Sequence, residues 1–508
     1  MSQDPPRPPE TLGSAAANAL VFGSSAAVLV VELVALRLLA PYLGLTLQTN
    51  TLVIGIALAA IAFGSWAGGR AADLVPPRRT LAPLLAVSGA VVVATPFLVR
   101  TTGELSRGGD VTAVLGVAAL AILVPGALLS AVTPMVTKLR LRTLEETGTV
   151  VGRLSGVGTT GAIVGTVLTG FVFVAAVPVT AILVALGVVL LVAAVAVGLA
   201  SRGWRGVVTP VVVTLVGATA SLLAPGDCDV ETTYHCARVV ADPDRPSGRI
   251  LELDTLRHSY VDLEDPTYLD FDYVQAVASL TDTAWPAGRP LRAYHLGGGG
   301  LTLPRYLDEV RPGTRNLVSE IDGGVVAVDR DRLGLRTGEG IDVRVEDGRR
   351  GVERLPADGR DLVVGDAFGG VAVPWHLTTR ETAQEVRRVL VDDGIYAVNL
   401  IDYGPMDFAR AEVATLASVF AHVDVVANPR TIDGDRGGNL VVLASDREID
   451  ADALQARIDE RGTDYVVRSG GDVTRFAGDA RVLTDDFAPV DQLVTPYPPA
   501  GSFDRSQG

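Results

Sequence analysis

Long apolar stretches in the first 225 residues constrain this chain more than anything else in it. A helix of about 20 mostly apolar residues spans the hydrocarbon core of a bilayer. Seven stretches reach that length, at about 14–40, 49–69, 80–99, 111–136, 155–176, 178–200 and 206–224. Small residues recur at four-residue spacing, as in Gly161, Gly165 and Thr169, which lets helices pack closely. These stretches predict a multi-span α-helical membrane domain over 13–225, with the lipid bilayer as its partner. Met1–Leu12 is polar and proline-rich and lacks the basic start and cleavage site of a signal peptide. It reads as a disordered tail.

Charge separates the two halves. Residues 1–225 carry 13 basic and 8 acidic side chains, and the rest carry 30 basic and 50 acidic. An acidic half lacks the basic footprint that a nucleic-acid backbone requires, so no nucleic-acid partner is expected. The single lysine, Lys138, lies in the first half, so Schiff-base chemistry in the second half is excluded. Arg7, Arg70, Arg78, Arg79, Lys138, Arg140, Arg142, Arg153, Arg202 and Arg205 fall on one side of the seven spans. Arg100, Arg107 and Arg238 fall on the other. The positive-inside rule then puts the N-terminus in the cytoplasm and, after seven spans, the C-terminal half outside. Cys228 and Cys236 are the only cysteines. Two close cysteines beside the last span suit a disulfide in an oxidising compartment, the alternative being two unrelated thiols. They are too few for a zinc site, and no metal is expected. Glu32, inside the first span, needs either a structural partner or a substrate or lipid role.

The second half changes period. Short strands at ARVVAD, RILELD and HSYVDL, separated by turn residues, predict a juxtamembrane β-stranded subdomain over 226–266. A helix is expected at about Thr267–Thr283, after which strands and helices alternate. RAYHLGG leads to a helix near Thr302–Val310, NLVSEID to Gly324–Leu333, IDVRVED to Gly348–Leu355, DLVVGDAF to Thr378–Leu390 and GIYAVNLID to Met406–Phe420. HVDVVANP and GNLVVLAS would close an antiparallel edge. This is an α/β doubly wound domain over 267–495, followed by a disordered tail at 496–508. Ligands of such sheets bind at the carboxyl ends of the strands, where strand order switches. A glycine turn (Gly297, Gly298, Gly299) ends the first strand, Glu320 the second, Asp347 the third and Asp366 the fourth. Glu320 follows Gly297 by 23 residues, a spacing that suits a carboxylate accepting ribose hydroxyls.

LGGGG, SEID, VEDGRR and DLVVGDAF together resemble the motifs of spermidine synthases, polyamine aminopropyltransferases on the class I methyltransferase fold. The resemblance covers roughly 231–445. VELVALRLLAPYLG, GSWAGGRAADL and GRLSGVGTTGAIVGTVLTGF are similar to the span-bearing members of that group, and LTDDFAPVDQL to their tails. The resemblance implies transfer of an aminopropyl group from decarboxylated S-adenosylmethionine, or a related nucleoside co-substrate, to a small-molecule amine. No permanently bound cofactor is implied. Gly297, Gly298 and Gly299 would cradle the donor, Glu320 would hold its ribose and Asp347 its adenine amino group. Asp366 would orient and deprotonate the attacking amine, since a protonated amine has no lone pair. A homodimer is a further possibility on the same basis.

The chain also departs from the pattern. Gly300 stands where the family has an aspartate for the donor's amino group. Tyr273, Val274 and Gln275 replace Tyr-His-Glu, and His235 and His258 replace two glutamines. Tyr273, Gln275, His235 and His258 are the candidate substrate contacts. The histidines, with His295 and His376, would be ordinary polar residues, a base or metal ligands. Three functions follow: a membrane-anchored aminopropyltransferase-like enzyme, an extracytoplasmic domain of the same fold acting on an envelope or lipid-linked substrate, and a non-catalytic sensor.

Overall fold

The structure, a computed structural model, describes residues 12–43, 47–106, 111–141, 143–202, 211–212, 215–219, 228–254, 256–338, 340–367 and 373–495. The chain divides into two compact units. The first ends at Asp227 and the second starts at Cys228.

The first unit is helical: α1 (Ser14–Leu43), α2 (Leu47–Leu74), α3 (Pro77–Ser106), α4 (Val111–Ser130), α5 (Val132–Arg140), α6 (Thr147–Leu168) and α7 (Val179–Arg202). A π turn, Thr169–Phe173, prolongs α6. Six segments are long and apolar enough to cross a membrane, with α4 and α5 together supplying the fourth. The seventh stretch expected at 206–224 lies largely outside the described residues, as do the tails expected at 1–12 and 496–508. Glycines set the closest helix approaches. A Cβ on Gly161 of α6 would lie 2.3 Å from the Phe22 carbonyl oxygen of α1, and one on Gly64 of α2 would lie 2.2 Å from that of Ala127 on α4. Small residues at these contacts let the helix backbones approach closely. The basic residues gather at one end. Arg140 Nη1 donates to the Leu12 carbonyl at 2.9 Å, and Lys138 pairs with Asp73 at the foot of α2. Arg100 instead reaches Thr180 Oγ1, at the start of α7.

The second unit begins with a four-stranded antiparallel sheet, β1 (Val230–Glu231), β2 (Cys236–Ala241), β3 (Gly248–Leu253) and β4 (Leu256–Asp262). Cys228 and Cys236 form a disulfide, with Cα atoms 5.1 Å apart. The main sheet contains β5 (Arg292–Leu296), β6 (Arg315–Glu320), β7 (Ile341–Val345), β8 (Arg360–Gly365), β9 (Leu390–Asp402), β10 (His422–Ala427), β11 (Gly438–Ser445) and β12 (Val466–Arg468). Its order is β12-β10-β11-β9-β8-β5-β6-β7. The five strands from β9 to β7 are parallel, and the other three pairings are antiparallel. The order reverses between β5 and β8, so the strand-end crevice opens there. Helices α8 (Asp272–Ala284), α9 (Thr302–Val310) and α14 (Ala451–Arg461) cover one face. Helices α11 (Gly348–Glu353), α12 (Arg380–Val389) and α13 (Asp407–Ala417) cover the other, and α10 (Gly323–Arg332) packs on the small sheet. Helix α8 starts five residues later than expected. The Asp265 carboxylate takes the Thr267 amide at 3.0 Å and its hydroxyl at 2.6 Å, and this local turn competes with helix. Strand β12 was not expected; it pairs outside β10 and becomes the sheet edge.

Candidate active site

The site grows out of the glycine turn after β5. Gly297 and Gly299 have φ of +96° and +48°, a region open to glycine at little steric cost. A Cβ on Gly297 would also lie 2.1 Å from the Asp366 carbonyl oxygen. Only a bare backbone lets the ends of β5 and β8 come this close. The link is tightened by the Asp366 amide, which donates to the Leu296 carbonyl at 2.9 Å, while the Gly297 amide donates to Ser319 across on β6 at 2.9 Å.

Glu320 ends β6 and turns back onto this loop. Its Oε2 accepts from the Gly298 amide at 2.8 Å and the Gly299 amide at 3.3 Å, and its Oε1 accepts from the Asp322 amide at 2.9 Å. Carboxylate oxygens take more than one donor each, so Glu320 keeps capacity for ligand hydroxyls. Ile321 and Val345, 46% and 59% exposed, stand at the same strand ends and offer apolar surface beside the acid.

Asp366, after β8, is gripped from both sides. Tyr273 Oη donates to its Oδ2 at 2.9 Å and Asn399 Nδ2 to its Oδ1 at 2.9 Å. Asn399 is in turn oriented by Asn439 Nδ2 at 3.0 Å. Burial, and then the Asp366 charge, push the Tyr273 phenol well above its usual range. It therefore stays a donor, and Asp366 is presented as an aimed acceptor.

Asp347 is more occupied. It caps α11 by accepting the Arg350 amide at 3.0 Å, and it takes His376 Nε2 at 2.8 Å. Burial works to raise its pKa, but the Arg350 amide and His376 outweigh it and hold the carboxyl below its ordinary value. Nearby, Arg349 forks onto Asp485 at 2.7 and 2.6 Å and reaches the His376 carbonyl at 3.2 Å. The LTDDF segment thus braces the His376 turn.

The other candidates separate. The ring of His258 lies against the glycine turn, with Nδ1 2.8 Å from where a Gly299 Cβ would stand. The Gly300 amide donates to Ser259 Oγ at 2.9 Å, and a Cβ on Gly300 would meet Ser259 Cβ and Val261 Cγ2, each at 2.9 Å. The position without its expected carboxylate is therefore filled by β4. Gln275 Nε2 donates to the Leu269 carbonyl at 2.9 Å, and His235 Nδ1 faces Asp254 at 3.0 Å. His295 does not border the crevice: it is buried in the sheet, 3.0 Å from Asn316 Oδ1, and burial pushes it down to about 4. Among the described residues no cluster of three His, Cys, Asp or Glu could hold a metal. Sequence reasoning missed Asn399 and Ser259. Asn399 had a visible signal, as a polar residue inside the apolar run of β9.

No family model matches the chain. A probable spermidine synthase from Corynebacterium glutamicum is 28% identical, with a TM-score of 0.48, over 51% of this chain and 96% of that one. A spermidine synthase solved with the transition-state analogue AdoDATO is 18% identical, with a TM-score of 0.33, over 51% of this chain and 80% of that one. A polyamine aminopropyltransferase of Vibrio vulnificus is 26% identical over 219 residues, 40% of this chain and 70% of that protein. The C-terminal unit is spermidine-synthase-like. In this spermidine-synthase-like unit, the glycine turn, Glu320 and Asp366 stand at neighbouring strand ends, and β4 closes over the turn from the small sheet.

Proposed function

We propose that the chain is a membrane-anchored transferase that moves an aminopropyl or related alkyl group from a sulfonium adenosyl donor to an amine. The observation that carries this reading is the convergence of the glycine turn, Glu320 and Asp366 at the switch in strand order. Glu320 holds the ribose hydroxyls, and the apolar surface of Ile321 and Val345 faces the base. Asp366, fixed by Tyr273 and Asn399, accepts a proton from the incoming ammonium. The freed nitrogen lone pair then attacks the carbon next to sulfur. The C–S bond breaks, its electron pair returns to sulfur, and a neutral thioether leaves. The six apolar helices support bilayer anchorage, and the basic end they share supports a cytoplasmic N-terminus.

Calorimetry with decarboxylated S-adenosylmethionine, S-adenosylmethionine and methylthioadenosine tests the reading. Binding of at least one is expected, and binding of none would sink it.

The Cys228–Cys236 disulfide favours a second reading, in which the unit faces an oxidising compartment. There the same site would take an envelope or lipid-linked amine. The filled space at Gly300 fits a donor whose tail carries no ammonium.

A further inference from the structure

The loop closed by the disulfide makes an unbroken chain of contacts to the glycine turn. Inside the ring, Thr232 Oγ1 donates to Asp322 Oδ2, and the Tyr234 amide donates to the same oxygen at 3.2 Å. Asp322 is fully buried. Its other oxygen caps α10 through the Gly324 amide at 2.9 Å. Its own amide donates to Glu320 Oε1 at 2.9 Å, and Glu320 Oε2 takes the Gly298 amide at 2.8 Å. The contact is steric as well: a Cβ on Gly324 would lie 2.6 Å from Thr232 Cβ. Two further bonds pin the ring, Asp229 to Arg332 at 3.0 Å and the Cys236 amide to Asp254 at 3.0 Å.

We propose that the Cys228–Cys236 ring, acting through Thr232 and Asp322, positions Glu320 and the glycine turn for the ligand. A buried carboxylate that loses a donor must find another or move. The nearest thing that moves with Asp322 is the Glu320 end of β6. Thr232 and Asp322 are positioning residues, because neither touches the space above the turn. The inference rests on the reading of Glu320 as the ligand's hydroxyl acceptor.

The test uses the full-length protein in detergent, with and without dithiothreitol. That reagent supplies two electrons and two protons, opens the disulfide to two thiols and closes to its own cyclic disulfide. The variants are Thr232→Val, Thr232→Ser and the double variant Cys228→Ser/Cys236→Ser. Amide hydrogen exchange is followed without ligand at Gly298, Gly299 and Asp322, with Tyr396–Leu400 of β9 as the reference. Methylthioadenosine affinity is measured in parallel. Reduction, the double serine variant and Thr232→Val should each speed exchange at the three amides while β9 is unchanged. Affinity should fall about tenfold, and Thr232→Ser should behave as the parent. Unchanged exchange at the three amides, or an equal rise in β9, overturns the coupling. Failure of the oxidised parent to bind the nucleoside overturns the ligand reading instead, and the exchange result still decides the coupling.

Discussion

At the scale of single residues, the proposed function gives Asp366 and Glu320 separable work. Asp366→Asn keeps the hydrogen-bonding shape but cannot take a proton. It should lower kcat by roughly 10²–10⁴-fold and leave nucleoside affinity nearly intact. Glu320→Gln loses charge-assisted bonds to the ligand and to the turn. Its nucleoside affinity should fall by about 1.5–3 kcal/mol in calorimetry. Equal affinity loss in both variants would refute the division of labour. The position of both acids at strand ends was readable in advance, because an acid placed at the end of an apolar strand has few other places to point. The grips on Asp366 were less visible. Tyr273 and Asn399 come from elements 93 and 33 residues away, and only the sheet order brings them together. His295 fits the reading of an ordinary polar residue: it lies on β5, whose residues from Ala293 to Leu296 are all buried, and pairs with Asn316 instead of the crevice.

At the scale of elements, two buried groups on different strands pull stability in opposite directions with pH. Asp424, on β10, is 6% exposed, and burial raises its carboxyl to about 6. The folded state holds that proton longer than the unfolded state, so its contribution falls as pH rises from about 4 to 6. His295, depressed to about 4, contributes stability that is complete above its unfolded value of ~6.5 and is lost as pH falls toward 4. Asp424→Asn removes the first slope and leaves the second. In thermal melts it should gain about 3 kcal/mol above pH 7 and nothing near pH 4, and the variant should destabilise on acidification more steeply than the parent. In the helical unit, Gly161→Val puts a branched side chain where a Cβ alone would lie 2.3 Å from the Phe22 carbonyl. Helices α1 and α6 must separate, and the melting temperature in detergent should drop by several degrees. Elements of this kind were the most legible part of the chain. Helix α9 spans Thr302–Val310 as its periodicity predicts. Strand β9 starts earlier than expected, at Leu390, because a register shift at Arg360/Leu362 recruits the charged residues Asp392 and Asp393 into the strand.

At the scale of the whole molecule, both cysteines are joined in the disulfide. A membrane-impermeant maleimide should therefore leave intact cells unlabelled. After reduction it should label them if the C-terminal unit faces outward, the side that the disulfide favours and that the charge asymmetry gives only with a seventh span at 206–224. Labelling that needs permeabilised cells would place the unit in the cytoplasm, beside the pool of soluble adenosyl donors. Composition located the six apolar helices that the structure describes, and the seventh stretch at 206–224 lies largely outside the described residues.

Ser259 and Val261 pack directly against Gly300, so an acid placed there alone would meet overpacking of about 1–3 kcal/mol before it gained any ligand. Room for a carboxylate at this position opens only if β4 is trimmed at the same time, so a single substitution at Gly300 cannot by itself convert the turn into an ammonium site.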